Sequence, residues 1–144
     1  MSKDKTEIQP KEYNPILKSI RLQRVYLKSS RSSLRDRLIS VNMIKPSIHE
    51  KHSFEITSDD QFIVDYTFSL VAKSGNKKVL EAECCFSAEF KSGEKVDGIF
   101  LEKFSSISVR FLCFPYAREF FSSLTSRMDL PAFFLPLFKI GPSQ

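Results

Sequence analysis

Three cysteines, two histidines and a row of glutamates are the side chains here whose chemistry is most readily put to use. Cys84 and Cys85 are adjacent and Cys113 stands alone. An odd thiol count without a CxxC is neither a disulfide framework nor a zinc site. On a strand, neighbouring residues point to opposite faces, so one of Cys84 and Cys85 is expected to be buried and the other partly exposed. His49 and His52 are the only histidines. A strand turns them to opposite faces, where they cannot share a metal. Glu81, Glu83 and Glu89 fall on a strand face that reads as solvated, and nothing in the pattern marks them as catalytic acids or bases. The glycines at 75, 93, 98 and 141 lack the spacing of a phosphate loop, and no serine sits in a GxSxG elbow. The expectation is a protein that is not an enzyme and carries no cofactor and no metal.

The elements that position these residues follow from length and periodicity. The chain has 144 residues, 42% of them hydrophobic and 27% charged, with 14 Phe and no Trp. That is enough to bury a core without metals or disulfides, and it is not the composition of a disordered chain. The longest uncharged apolar stretch, Leu130 to Phe138, carries two prolines. It falls far short of the roughly 20 residues of a membrane-spanning helix. The opening MSKDKTEIQPKE lacks the apolar core of a secretory signal. These features predict a cytoplasmic protein with a polar tail over 1–17 and a single domain over 18–144.

Within that domain, Ile20 and Leu22 alternate, then Val25 and Leu27 alternate in the other parity; a bulge near Gln23–Arg24 reconciles them in one strand. Ser29 to Ser33 breaks the pattern, and 34–46 reads as loop or a short helix. Ile48, His52, Phe54 and Ile56 mark a second strand, closed by a turn at Ser58-Asp59-Asp60. Phe62, Val64, Tyr66, Phe68, Leu70 and Ala72 form the apolar face of a third. After a turn at Gly75-Asn76, the fourth strand places Leu80, Ala82, Cys84, Phe86, Ala88 and Phe90 on one face. Residues 99–113 fit a helical stripe and a strand equally. Pro115 then suits the first turn of an amphipathic helix carrying Phe114, Ala117, Phe120, Phe121, Leu124 and Met128. The predicted fold class is α+β, a four-stranded antiparallel, meander-like sheet with helices packed on one face. An apolar, proline-broken arm follows to Phe138.

Charge is uneven along the chain. Residues 1–45 hold 11 Lys/Arg against 4 Asp/Glu, and the remainder holds 11 against 13. Arg21, Arg24, Lys28, Arg31, Arg35 and Arg37 are not on one helix face, and no zinc-finger, RRM-like or helix-turn-helix pattern accompanies them. They read as a solvated basic surface, and nucleic acid is not an expected partner.

The run Phe114-Pro115-Tyr116-Ala117-Arg118-Glu119, continuing to Ser126-Arg127 and Leu130-Pro131, resembles the signature of the SecB export chaperones. In that family a near-identical F-P-Y-A-R-E opens the main helix and Ser-Arg closes it. Val25-Tyr26 with Lys28 resembles its first strand, and the hairpin from Asp60 to Phe90 matches in length and order. The resemblance covers roughly residues 18–138. It implies a four-stranded sheet with helices on one side, a homotetramer built as a dimer of dimers, and ATP-independent binding of unfolded or precursor polypeptides in apolar grooves for protein export. Carried over by position, the client-binding residues are His52, Phe54, Ile56, Phe90, Tyr116, Phe133 and Leu135. Arg118 and Glu119 are expected to orient the first turn of the helix.

Some features depart from the family. Acidic residues after its first strand dock the export motor ATPase. The matching positions here are Ser29 and Ser33, and only Glu83, a third position, is acidic, so that partner is carried over weakly. The chain is basic where typical members are acidic, and a counterpart of the family's long final helix is not expected after Phe138. An alternative to the general holdase is therefore an adaptor dedicated to one partner, such as an antitoxin of a toxin–antitoxin system, docking an acidic segment on the basic first 45 residues.

Overall fold

Apolar and polar residues that alternate by two commit four segments of the chain to strands, and those strands form one sheet. The computed structural model describes residues 10–36 and 44–130. In order they are helix α1 (Pro10–Ser19), strands β1 (Ile20–Leu34), β2 (Ile44–Ser58), β3 (Gln61–Ser74) and β4 (Lys77–Ser92), and helices α2 (Gly98–Phe104) and α3 (Arg110–Arg127), joined by a π-helical turn at Ser105–Val109. The sheet order is β1-β4-β3-β2, and every pairing is antiparallel. The expected α+β fold is present. Its β2-β3-β4 part is a meander, whereas β1 crosses to the far side to pair with β4, the arrangement of a Greek key.

The register aligns side chains in rows on the face that meets the helices. Leu22, Phe90, Phe62 and Ile56 form one row, and Leu27, Phe86, Tyr66 and His52 another. The centres of the rows are the core: Phe62, Val64, Phe68, Leu70, Cys84 and Ala88 are essentially inaccessible. Phe104 packs edge-on against Phe62 and Phe90, at 5.8 and 5.1 Å between ring centroids. Edge-to-face geometry suits the ring quadrupoles and holds α2 against this end of the sheet. Further along, Phe114 meets Phe68 in the same manner, and Ala117 and Phe121 are fully buried.

Several local expectations change. The bulge between Leu22 and Arg24 is where the parity break placed it, but β1 does not stop at Ser29. A second bulge between Leu27 and Ser29 resets the alternation, and Ser29 to Leu34 stay paired with β4. Small polar side chains weaken the sequence signal without removing the backbone ladder. Residues 10–17, placed with the polar tail, form most of α1, because Ile16 and Leu17 pack against the core. Residues 99–113 are helical: Asp97 caps α2 by accepting from the Phe100 N–H, and Phe100, Leu101 and Phe104 are drawn into the core. Pro115 therefore lies inside α3 rather than in its first turn, and Arg118 and Glu119 sit mid-helix, away from any helix N-terminus. Gly75 has the positive φ its turn needs, at 60°, and Asn76 does not. Cys85 is buried like Cys84 and Cys113. The C-terminal arm from Pro131 lies outside the described residues.

Candidate functional site

The helix layer lies over β3 and β4, reaches β2 at the π-helical turn, and leaves apolar side chains exposed at both edges of the same sheet face. On β1 the row ends Leu22 and Leu27 remain 46% and 45% exposed. Leu27 is the register partner of Phe86, and the Tyr116 ring lies 5.6 Å from that phenylalanine. Tyr116 projects from α3, is itself 45% exposed, and so continues the apolar surface from β1 up the side of the helix. On the opposite edge Ile56 ends the first row and is likewise exposed.

The expected client residues fall into separate groups. His52, Phe54 and Ile56 share the helix-facing side of β2. Phe54 packs against the core, and His52 stacks on Tyr66 with ring centroids 5.9 Å apart. Tyr116 belongs to the β1 side. Phe90 lies between them, buried in a stack with Phe62, and supports the surface from beneath. Phe133 and Leu135 lie outside the described residues. His49 and His52 stand on opposite faces of β2, paired with Ser69 and Tyr66.

Sequence reasoning missed Leu22 and Leu27, the most exposed apolar residues on the helix-facing side of β1. The parity break that revealed the bulge also shows that both sit on one face; what it lacks is any sign that the helices stop short of them. It also missed Ile107 and Phe111, four residues apart at the junction of the π-turn and α3, at 52% and 58% exposure. Their stretch fitted two periodicities, so their face was undefined.

Polar contacts bolt β2 to the helices. Arg110 of α3 donates from Nε and a terminal nitrogen to the two Glu50 carboxylate oxygens, at 2.6 and 2.9 Å. A bidentate guanidinium–carboxylate pair fixes orientation as well as distance. Hydrogen bonding to Glu50 raises the Arg110 pKa. Tyr66 donates its hydroxyl to the same Glu50, and burial together with that carboxylate pushes the phenol pKa up. His52 Nε2 lies 2.8 Å from Glu102 Oε1 on α2.

The other face of the sheet is a ladder of opposite charges. Arg24 pairs with Glu89, Lys28 with Asp65, Arg31 with Glu83 and Arg35 with Glu81. Lys28 stands at the second bulge of β1 and reaches past β4 to Asp65 on β3, 2.6 Å away. That hydrogen bond raises the lysine pKa, and Ser87 donates to the other Asp65 oxygen. Arg24, Lys28 and Arg31 of β1 are thus matched by acids across the strands, whereas Arg21 donates to the Lys18 and Ile20 carbonyls. Glu83 also accepts from Ser69. A depression of about 400 Å³ at this end is lined by both charged and apolar side chains, among them Arg31, Ser69, Val71, Glu81 and Glu83, and none of Leu22, Leu27 and Tyr116 lines it.

No protein-family model and no curated protein matches the sequence. Among solved structures, the chain is similar to the SecB-like chaperone Rv1957 of Mycobacterium tuberculosis, determined in complex with a ChAD peptide from the Rv1956 HigA1 antitoxin. The TM-score is 0.80 at 17% identity, over 91% of this chain and 99% of that one. A weaker likeness, with TM-score 0.46 and 8% identity over 82% of this chain and 97% of that one, is to a protein of unknown function from Streptococcus agalactiae. The fold is that of a SecB-like chaperone, as the Phe114–Glu119 run implied.

Proposed function

We propose that this chain, sharing its fold with a SecB-like chaperone, is an ATP-independent holdase that binds unfolded polypeptides on the apolar edges of its helix-facing sheet surface. The observation that carries the reading is the trio Leu22, Leu27 and Tyr116, nearly half exposed, with Leu27 and Tyr116 beside the buried Phe86 and Leu22 beside the buried Phe90. Large apolar side chains left open in one patch mark an interaction surface. Each contributes by losing apolar area to solvent, at roughly 25 cal/mol per Å². His52, Phe54 and Ile56 supply a second strip on β2, Phe90 the support between the two, and Phe133 and Leu135 of the C-terminal arm would add further client contacts as a flap.

Assembly belongs to the same reading. Ile107 and Phe111, together with the open edge of β1, are suited to bury against further copies in a dimer of dimers, in the cytoplasm. In service to protein export, a motor contact at Glu83 would compete with Arg31 and Ser69, which engage that carboxylate. Serine substitution of Phe133 and Leu135 tests the flap: client affinity should fall by an order of magnitude or more, with a smaller change in melting temperature. A large fall in melting temperature with client binding intact would make the arm part of the core.

An adaptor dedicated to one partner is the second reading, favoured by one observation: the similar Rv1957 was solved with an antitoxin-derived peptide. In that reading an acidic segment docks on the basic first 45 residues, of which Arg24, Lys28, Arg31 and Arg35 are already paired with acids of the sheet. Competition separates the two readings. A general holdase loses its hold on one unfolded client when an unrelated one is added, and a dedicated adaptor does not.

A further inference from the structure

Helix α1 is poorly suited to stand alone. It has ten residues, short of the roughly 12–15 below which isolated helices are marginal in water. Pro15 lies inside it, where its missing N–H costs a hydrogen bond to the preceding turn. What seats it is tertiary: Ile16 and Leu17 pack against the core on the helix-facing side of the sheet. Its C-terminal end is pinned. The Gly93 N–H donates to the Ser19 carbonyl at 3.2 Å, and a Cβ on Gly93 would stand 3.3 Å from that of Ser19. Ile20 then pairs with Ser92, so the first helix-facing row inward from the pin is Leu22, Phe90, Phe62 and Ile56. Leu22 in that row is exposed. A weakly held helix thus borders an open end of the apolar surface.

We propose that α1 is a displaceable strap that competes with client polypeptides for the Leu22 end of the apolar surface. An apolar client segment takes the place of Ile16 and Leu17 as α1 swings away about Ser19. The inference rests on the polypeptide-binding reading above. In the seated state two apolar side chains of the chain itself cover surface that a client would otherwise cover. Release exchanges those contacts for similar ones, and it gives up less helical hydrogen bonding because Pro15 has already removed part of it. Apparent client affinity then scales with the share of molecules in which α1 is unseated. Pro15 and the two apolar anchors set that share in opposite senses: the proline favours release, the anchors oppose it.

Two full-length variants move α1 in opposite directions. Pro15 is exposed, so Pro15→Ala strengthens the helix without touching the core. An Ile16→Ser, Leu17→Ser variant unseats it. Binding is read by fluorescence anisotropy of a labelled, reduced and alkylated lactalbumin, which cannot refold. Pro15→Ala should weaken binding by about three-fold or more, and the serine variant should tighten it by about three-fold or more. The latter gain means that α1 is seated in about two-thirds of the free molecules or more. In hydrogen exchange on the unaltered protein, the amides of residues 16–19 should lose protection when the client is added. Unchanged or tighter binding by Pro15→Ala, unchanged or weaker binding by a folded serine variant, or undiminished protection of α1 would each overturn the proposal. If the serine variant does not fold, the other two measurements decide. An unaltered protein that binds no unfolded chain contradicts the holdase reading instead, whereas binding that neither variant shifts contradicts the strap alone.

Discussion

Cys84 and Cys113 lie in the core with no accessible surface, and burial pushes both thiols up to about 12. A thiol with a raised folded pKa stabilises the protein fully below the ordinary thiol value of 9.0. That contribution is lost as pH rises from there towards about 12. At neutral pH both are protonated and shielded, so an aromatic disulfide reagent should leave them unreacted in the native protein and titrate them after denaturation. Rapid native reaction of either would contradict the packing. Ser105 carries the opposite lesson. Its hydroxyl is buried without a hydrogen-bond partner among the described residues. An unsatisfied buried polar group is costly, and alanine is the better helix former. Ser105→Ala should therefore raise stability by about 1 kcal/mol, or about 4 °C in melting temperature, read by calorimetry. A lowered melting temperature would mean that the hydroxyl has a partner in solution.

At the scale of elements, Phe104 holds the helix layer to the sheet through Phe62, Phe90 and Phe100. Phe104→Ala should cost about 3–5 kcal/mol in denaturant unfolding, the range for a truncated core aromatic. The charge ladder makes a different prediction. The Lys78 hydrogen bond holds the Glu81 carboxyl below its ordinary range, with Arg35 adding to the effect. A lowered carboxyl pKa stabilises above the unfolded value and loses that contribution as pH falls through the folded one. Acid titration should therefore loosen the β1–β4 pairing first at the Glu81 end, seen as early exchange of the Arg35 and Leu34 amides. The hairpin of β3 and β4 was legible because its period of two runs through both strands without interruption. β1 was legible only to Leu27, since its serine half carries no apolar signal and is held by backbone pairing and charge partners distant in sequence. The helix over 99–113 was not legible, because Ile107 and Phe111 belong both to a helical stripe with Phe100 and Phe104 and to an alternation with Val109 and Cys113, and burial against β3 and β4 decides between them. The β2 group of the candidate site could be placed from the sequence, whereas Leu22 and Leu27 emerge only from where the helix layer ends.

At the scale of the whole molecule, a single sheet with helices on one face leaves two strand edges and several large apolar side chains in contact with water. Light scattering should give a mass well above the 16.6 kDa of one chain at micromolar concentration. A monomer there would contradict the proposed assembly. Among the described residues no helix is long and apolar enough to cross a membrane. The central claim is that exposed apolar edges hold unfolded chains without nucleotide, and aggregation of a chemically unfolded model substrate tests it most directly. Light scattering of that substrate is followed with the native protein and with a Leu22→Ser, Leu27→Ser, Tyr116→Ser variant, whose changes lie outside the buried core. The account predicts suppression by the native protein near stoichiometric amounts with no ATP, and loss of most of that suppression in a variant that remains folded. Suppression that requires ATP, none at any ratio, or an equally effective variant would contradict it.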